Sequence, residues 1–197
     1  MRRLLLLGFF CVILLSLAVP AADDAPAPPR GKPALLVIDV QNAYLPMMPE
    51  AHRTTGMMMV NYAIDVFRAH GCPVIRVYHT SRQGDPAPGT EPFEFPATVK
   101  VLPDDPKIVK NYPSAFKQTE LEKILRDRGC DTVFLCGLSA VGCVLHTWFD
   151  AQAHDFRAFM IKDALISHRP DLTRSVEEIT DAVGLDAVEY MLDSQGK

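Results

Sequence analysis

Three side chains fall where the chain's pattern changes, and their types are those of nucleophilic catalysis. Cys143 closes the stretch Val133-Phe-Leu-Cys-Gly-Leu-Ser-Ala-Val-Gly-Cys143, where a buried-strand pattern gives way to a helical one. Asp39 ends the apolar run Leu35-Leu-Val-Ile-Asp39, and Lys110 ends Lys107-Ile-Val-Lys110. A thiol with a pKa near about 8.5 is a poor nucleophile at neutral pH and needs a base or a positive environment. The strand-to-helix turn at Cys143 offers free N–H groups and the positive end of a helix, which favour a thiolate. His146 lies three residues on and would project away down the helix, so Asp39 is the candidate base. Lys110 between the two charges would hold Asp39 and stabilise the thiolate. The backbone N–H groups of Ser139 and Cys143 are the candidate oxyanion donors. Three strands that each deliver a reactive group at the C-terminal end point to a cysteine hydrolase.

The elements that must position these groups alternate in kind. Ala34 to Val40 is an unbroken apolar run, as in a parallel strand covered on both faces. A helix is expected over Thr55 to Ala69, ended by Gly71, then a strand over Pro73 to His79. Ser81 to Pro106 is proline-rich and acidic with no lasting period, and reads as a long excursion over the C-terminal edge of the sheet. A short strand, Lys107 to Lys110, comes next. Thr119 and Glu122 have capping-box spacing before a helix stopped by Gly129. A strand at Thr132–Cys136, a helix from about Val141 to His154, a strand at Arg157–Ile161, a helix over Leu172–Val183 and a last strand near Ala187–Tyr190 complete the count. Six strands separated by helices or loops predict a three-layer α/β/α domain with a mostly parallel, Rossmann-like sheet. Asp39-Val-Gln-Asn-Ala-Tyr44 contains no glycine, so the dinucleotide fingerprint is missing and no such cofactor is expected.

Composition bounds the setting. Met1-Arg-Arg3, the apolar run Leu4–Val19 and the small residues of Val19-Pro-Ala21 read as a signal peptide over residues 1–21. Residues 22–32, rich in Asp, Ala and Pro, read as a flexible lead, and 33–197 as the folded domain. Export to the periplasm or beyond follows, with no stable membrane contact once the leader is cleaved near Ala21. An uncleaved anchor is the lesser reading. The net charge is −4 and grows more negative when Arg2 and Arg3 leave, which argues against nucleic acid as a partner. Cys136 lies within an apolar strand. Cys72 and Cys130 fall at one edge of the sheet, where an intervening strand would hold their starts too far apart to bond without help from the loops.

Three ordered blocks resemble the isochorismatase-like cysteine hydrolases, a superfamily with nicotinamidases, carbamoylsarcosine amidases and isochorismatase. An apolar strand ending Asp-x-Gln-Asn matches Leu35 to Asn42. A strand ending in lysine, followed by Ser-Ala-Phe, matches Ile108 to Phe116. The nucleophile block matches Cys136-Gly-Leu-Ser-Ala-Val-Gly-Cys-Val144. The resemblance covers about residues 33 to 165, implies the roles of base for Asp39, lysine for Lys110 and nucleophile for Cys143, and carries a non-proline cis bond onto Leu138–Ser139. Two departures stand out: Ala140 replaces the family's threonine, and Trp148 and Phe149 are bulkier than usual. They keep open a catalytically weak or inactive member that binds a small molecule or protein partner. Nicotinamidases of this kind carry Asp-x-His after the second strand. His79-Thr-Ser-Arg-Gln-Gly-Asp85 lacks it, Glu50 and His52 lie in another loop, and no metal is expected.

The reaction implied is cleavage of an amide or ureido C–N bond in a small molecule through an acyl-enzyme. Tyr44, His79, Arg82, Tyr112 and Trp148 are candidates to line the cleft. Arg82 and His79 favour a carboxylate-bearing substrate. Family habit and the Trp148-Phe149 pair suggest a homo-oligomer.

Overall fold

The computed structural model describes residues 31–195; the stretch read from sequence as a signal peptide and most of the expected lead segment lie outside them. Five strands form one sheet: β1 (Lys32–Ile38), β2 (Val74–His79), β3 (Lys107–Lys110), β4 (Cys130–Leu138) and β5 (Arg157–Ile166). Their order is β3-β2-β1-β4-β5 and every neighbouring pair is parallel. The first three strands step outward one way and the last two the other, so the order reverses between β1 and β4. The crevice beyond the carboxyl ends of these two strands is where ligands bind in such sheets.

Helices cover both faces. β1 is buried from Pro33 to Ile38, and its side chains alternate between two cores, as a strand's period of two requires. Leu35 and Val37 join Val60, Ile64 and Phe67 of α1 (Glu50–Ala69) and Val188 and Leu192 of α5 (Leu185–Gln195). Ala34, Leu36 and Ile38 join Leu121 and Leu125 of α2 (Leu121–Asp127), Ala151 of α3 (Leu145–Ala153) and Val176 of α4 (Pro170–Ile179). This is a three-layer α/β/α architecture.

The sixth strand expected near Ala187–Tyr190 is a helix instead. Leu185, Val188 and Leu192 are its buried residues, a spacing of three and four that follows the helical period and not the strand's. Just before it, Val183 makes a single parallel bridge to Ile161. The Thr119–Glu122 capping box does not form. Thr119 Oγ1 accepts from the Leu121 N–H and donates to the Ala115 carbonyl, while Glu122 turns to His154 and Arg126. β5 runs past Ile161 to Ile166, with its register against β4 shifting between Leu135 and Gly137. All four described cysteines are free thiols. Cys72 packs against the α1/α5 core and Cys130 sits in the α2/α3 core, so the two reach opposite faces of the sheet.

Candidate active site

Each reactive group is set by a local feature at a strand's end. Asp39 follows β1 with φ of 52°, a left-handed conformation that Asp tolerates better than most residues and that turns the chain out of the sheet. Its backbone N–H donates to the Val77 carbonyl, which anchors the turn on β2. On β4, Gly137 has φ of 106°, and a Cβ there would meet the Ile38 carbonyl oxygen at 2.2 Å. Only glycine lets β4 pass this close to the residue before Asp39. The Leu138–Ser139 peptide is cis, as the resemblance implies. A π-helical turn over Ala140–Val144, with Gly142 in a non-helical conformation, then delivers Cys143 at the head of α3.

Lys110 reaches the same point from β3. Its Nζ donates to Asp39 Oδ2 at 2.7 Å, and both side chains are buried. Nζ also lies 3.3 Å from Nδ1 of His79. The Cys143 sulfur, an Asp39 carboxylate oxygen and a His79 ring nitrogen fall within 4.8 Å of one another. These donors could in principle ligate a cation, but the Lys110 ammonium already brings a positive charge to two of them.

The electrostatics fit a base beside a resting thiol. Burial raises the Asp39 carboxyl above the ordinary carboxylate range against the opposing pull of Lys110, which makes it a stronger proton acceptor. Its Oδ1 is buried without a conventional partner and has the Cys143 thiol as a neighbouring donor. Cys143 is pushed up to about 12, first by burial and then by the negative charge of Asp39, with Lys110 opposing. The sequence argument favoured a preformed thiolate; the geometry instead holds the proton on sulfur at rest, to be taken by Asp39 as attack begins. Tyr44 is also raised to about 12, by burial and by Asp39 and Cys143, and stays a neutral phenol.

A cavity of about 230 Å³ opens over the sulfur, lined by Asp39, Tyr44, Met47, Met48, His79, Leu138, Ser139, Cys143 and His168. Of the pocket candidates read from sequence, Tyr44 and His79 are on this wall. Arg82 is exposed in the turn after β2. Tyr112 lies under the Lys117 ammonium, 4.5 Å from its ring centre. Trp148 turns inward and donates from Nε1 to the Ala158 carbonyl at 3.0 Å.

Sequence reasoning missed three contributors. His168 joins the wall from the loop after β5. Gln41 is fully buried and clasps both backbone groups of His79, with Oε1 accepting from its N–H at 2.7 Å and Nε2 donating to its carbonyl at 3.0 Å. The same Nε2 donates to the Phe93 carbonyl, which ties the long excursion to the site. Thr147 donates to the Cys143 carbonyl and accepts from the Ala115 N–H, so Ser114-Ala115-Phe116 is fastened to the start of α3. The Gln within Asp-x-Gln and the Ser-Ala-Phe block were on the page as motifs; their physical use was not.

A parallel sheet with a buried Asp39–Lys110 pair beside Cys143 at its switch point defines a cysteine hydrolase. The isochorismatase domain model matches residues 33–182, and the chain belongs to that family. An uncharacterized isochorismatase family protein of Escherichia coli O157:H7 is 34% identical, the match covering 76% of this chain and 95% of the relative. A solved N-carbamoylsarcosine amidase from Thermoplasma acidophilum is 28% identical with a TM-score of 0.66, covering 78% of this chain and 95% of that one. An isochorismatase family protein from Burkholderia thailandensis, at 24% identity and a TM-score of 0.71 over 82% of this chain and 96% of that one, shares the fold.

Proposed function

We propose that the chain hydrolyses an amide or ureido C–N bond of a small molecule through an acyl-enzyme on Cys143. The observation that carries this is the Lys110–Asp39 contact of 2.7 Å, buried within reach of a cysteine sulfur that faces a cavity. Asp39 takes the thiol proton as sulfur attacks the carbonyl carbon, and the carbonyl electron pair moves onto oxygen. Backbone N–H groups at Ser139 and Cys143 are the proposed donors to that oxygen. As the tetrahedral centre collapses, the C–N bond breaks and the nitrogen leaves with the proton held by Asp39. Water then attacks the thioester and gives a proton to Asp39; the C–S bond breaks, Asp39 returns that proton to the sulfur, and the acid leaves. Lys110, bonded to Asp39 Oδ2, offsets the cost of a buried carboxylate. The amidase similarity supports the choice of a C–N bond.

Ammonia or amine release from an amide library, with intact-mass detection of an adduct at Cys143, tests the reading. Unchanged turnover in Cys143→Ala would overturn it.

Export with cleavage near Ala21 belongs to the same proposal and rests on the composition of residues 1–21. N-terminal sequencing of the native protein decides it, and a product beginning at Met1 in the cytoplasm would refute it. A homo-oligomer is supported by exposed apolar side chains on one helical layer, Phe149 and Ile179 among them. Light scattering showing a monomer at micromolar concentration would refute that.

A further inference from the structure

The cavity over Cys143 has an uneven chemistry. Met47, Met48, Leu138 and Tyr44 line it beside Asp39, His79, Ser139, Cys143 and His168, and among the described residues no arginine or lysine lines it. Lys110 lies behind it, fully buried and already paired with Asp39. The polar side chains left to meet a ligand are Tyr44, Ser139, His79 and His168. Of these, His79 is the most firmly held, because Gln41 fixes its backbone on both sides.

The ring of His79 is also fixed in its proton placement. An ammonium has three donors and no acceptor, so the Lys110–His79 contact requires Nδ1 to accept. A neutral imidazole accepting at Nδ1 carries its proton on Nε2. Burial and the Lys110 charge both disfavour the imidazolium, with Asp39 the weaker opposing influence. The charged or titratable groups around the ring are thus Lys110 from β3, Asp39 from the end of β1, Tyr44 from the following loop, Cys143 from the head of α3, and His168 across the cavity.

We infer that His79 is a substrate-orienting residue that presents one uncharged donor, Nε2–H, so that the site selects an uncharged amide over a carboxylate-bearing one. This rests on Cys143 being the nucleophile, as proposed above. It departs from the carboxylate preference suggested by Arg82, whose guanidinium is not on the cavity wall. An anion entering here would lose its water without a cation to receive it, and it would face Asp39. An uncharged acyl group loses less and gains a hydrogen bond from a donor that needs no reorganisation.

Iodoacetamide and iodoacetate form a matched pair that differs in this respect. In each, the Cys143 sulfur displaces iodide and forms a C–S bond, and the thiol proton leaves to Asp39 or solvent. Labelling of Cys143 is followed by fragment-ion sequencing of its peptide, which separates it from Cys130 and Cys136 on the same stretch and from Cys72 elsewhere. The expected result is an iodoacetamide-to-iodoacetate rate ratio at Cys143 at least about tenfold above that of free glutathione. His79→Phe should slow iodoacetamide labelling by about fivefold, the worth of one neutral hydrogen bond. His79→Gln, which keeps an N–H donor, should recover part of the loss. A ratio equal to that of glutathione, or a ratio that swings toward iodoacetate as pH falls and does so less in His168→Asn, would overturn the inference while leaving the nucleophile in place. An unchanged iodoacetamide rate in both His79 variants would also overturn it. Failure of both reagents to label Cys143 would sink the nucleophile assignment and this inference with it.

Discussion

Replacing Lys110 with methionine removes the ammonium from a site where it cannot be replaced by water. Its side chain has no solvent exposure and that of Asp39 only 4%. The carboxylate would lose its bond at Oδ2, while Oδ1 already lacks a conventional partner. Breaking a buried pair by removing one member costs about 3–5 kcal/mol, because the remaining charge is left uncompensated. A surface pair would cost about 1 kcal/mol or less. The pH dependence has a definite sign. Burial raises the Asp39 carboxyl in the folded state, and loss of Lys110 raises it further. Protonation removes the buried charge, so the folded variant takes up a proton more readily than the unfolded chain. The destabilisation is therefore largest near neutral pH and shrinks as pH falls through the raised carboxyl pKa. Urea unfolding of wild type and Lys110→Met at two pH values on either side of that titration measures this. The double variant Asp39→Asn/Lys110→Met, which removes both charges, should recover most of the stability. A loss under about 1 kcal/mol, or one that grows with acidity, would refute the buried-pair argument.

Asp39→Asn should abolish amide turnover yet make Cys143 more reactive to a simple alkylating agent, because Asp39 raises the thiol pKa and Lys110 lowers it; a rate–pH profile of alkylation displaced to higher pH would contradict this. Gly137→Ala should cost at least about 2 kcal/mol, from both the positive φ and the 2.2 Å approach to the Ile38 carbonyl, and thermal unfolding would show it. Thr147→Val strands the Ala115 N–H and frees the Cys143 carbonyl, with an expected loss of about 1–3 kcal/mol in denaturant unfolding.

The reactive groups were legible because each closes a short apolar run, and strands of a parallel sheet bring their carboxyl ends to one edge. The last element was harder. Ala187-Val-Glu-Tyr190 has strand-like residue types, but the burial of Leu185, Val188 and Leu192 is helical and shows only when the window is widened. Lys162 and Asp163 hid the continuation of β5, since Asp163 takes a positive φ before Ala164, Leu165 and Ile166 return to the core. Pocket membership was the least legible. Trp148 and Arg82 follow functional blocks in sequence, yet helix phase turns one toward Ala158 and a surface turn exposes the other. His168 lies far along the chain and joins the wall through sheet order alone. The proton's place on the Cys143 sulfur was likewise beyond the sequence, because it depends on how deeply the thiol is buried.

The central claim is that Cys143 carries an acyl group between two half-reactions. Rapid acid quench of enzyme with an amide substrate found in a library screen, followed by intact mass and peptide mapping, tests it directly. The account predicts an adduct of the acyl mass on Cys143, formed together with the first equivalent of released ammonia or amine and missing from Cys143→Ala. Release of the nitrogen product with no adduct at any time, at a rate that survives Cys143→Ala, would contradict it.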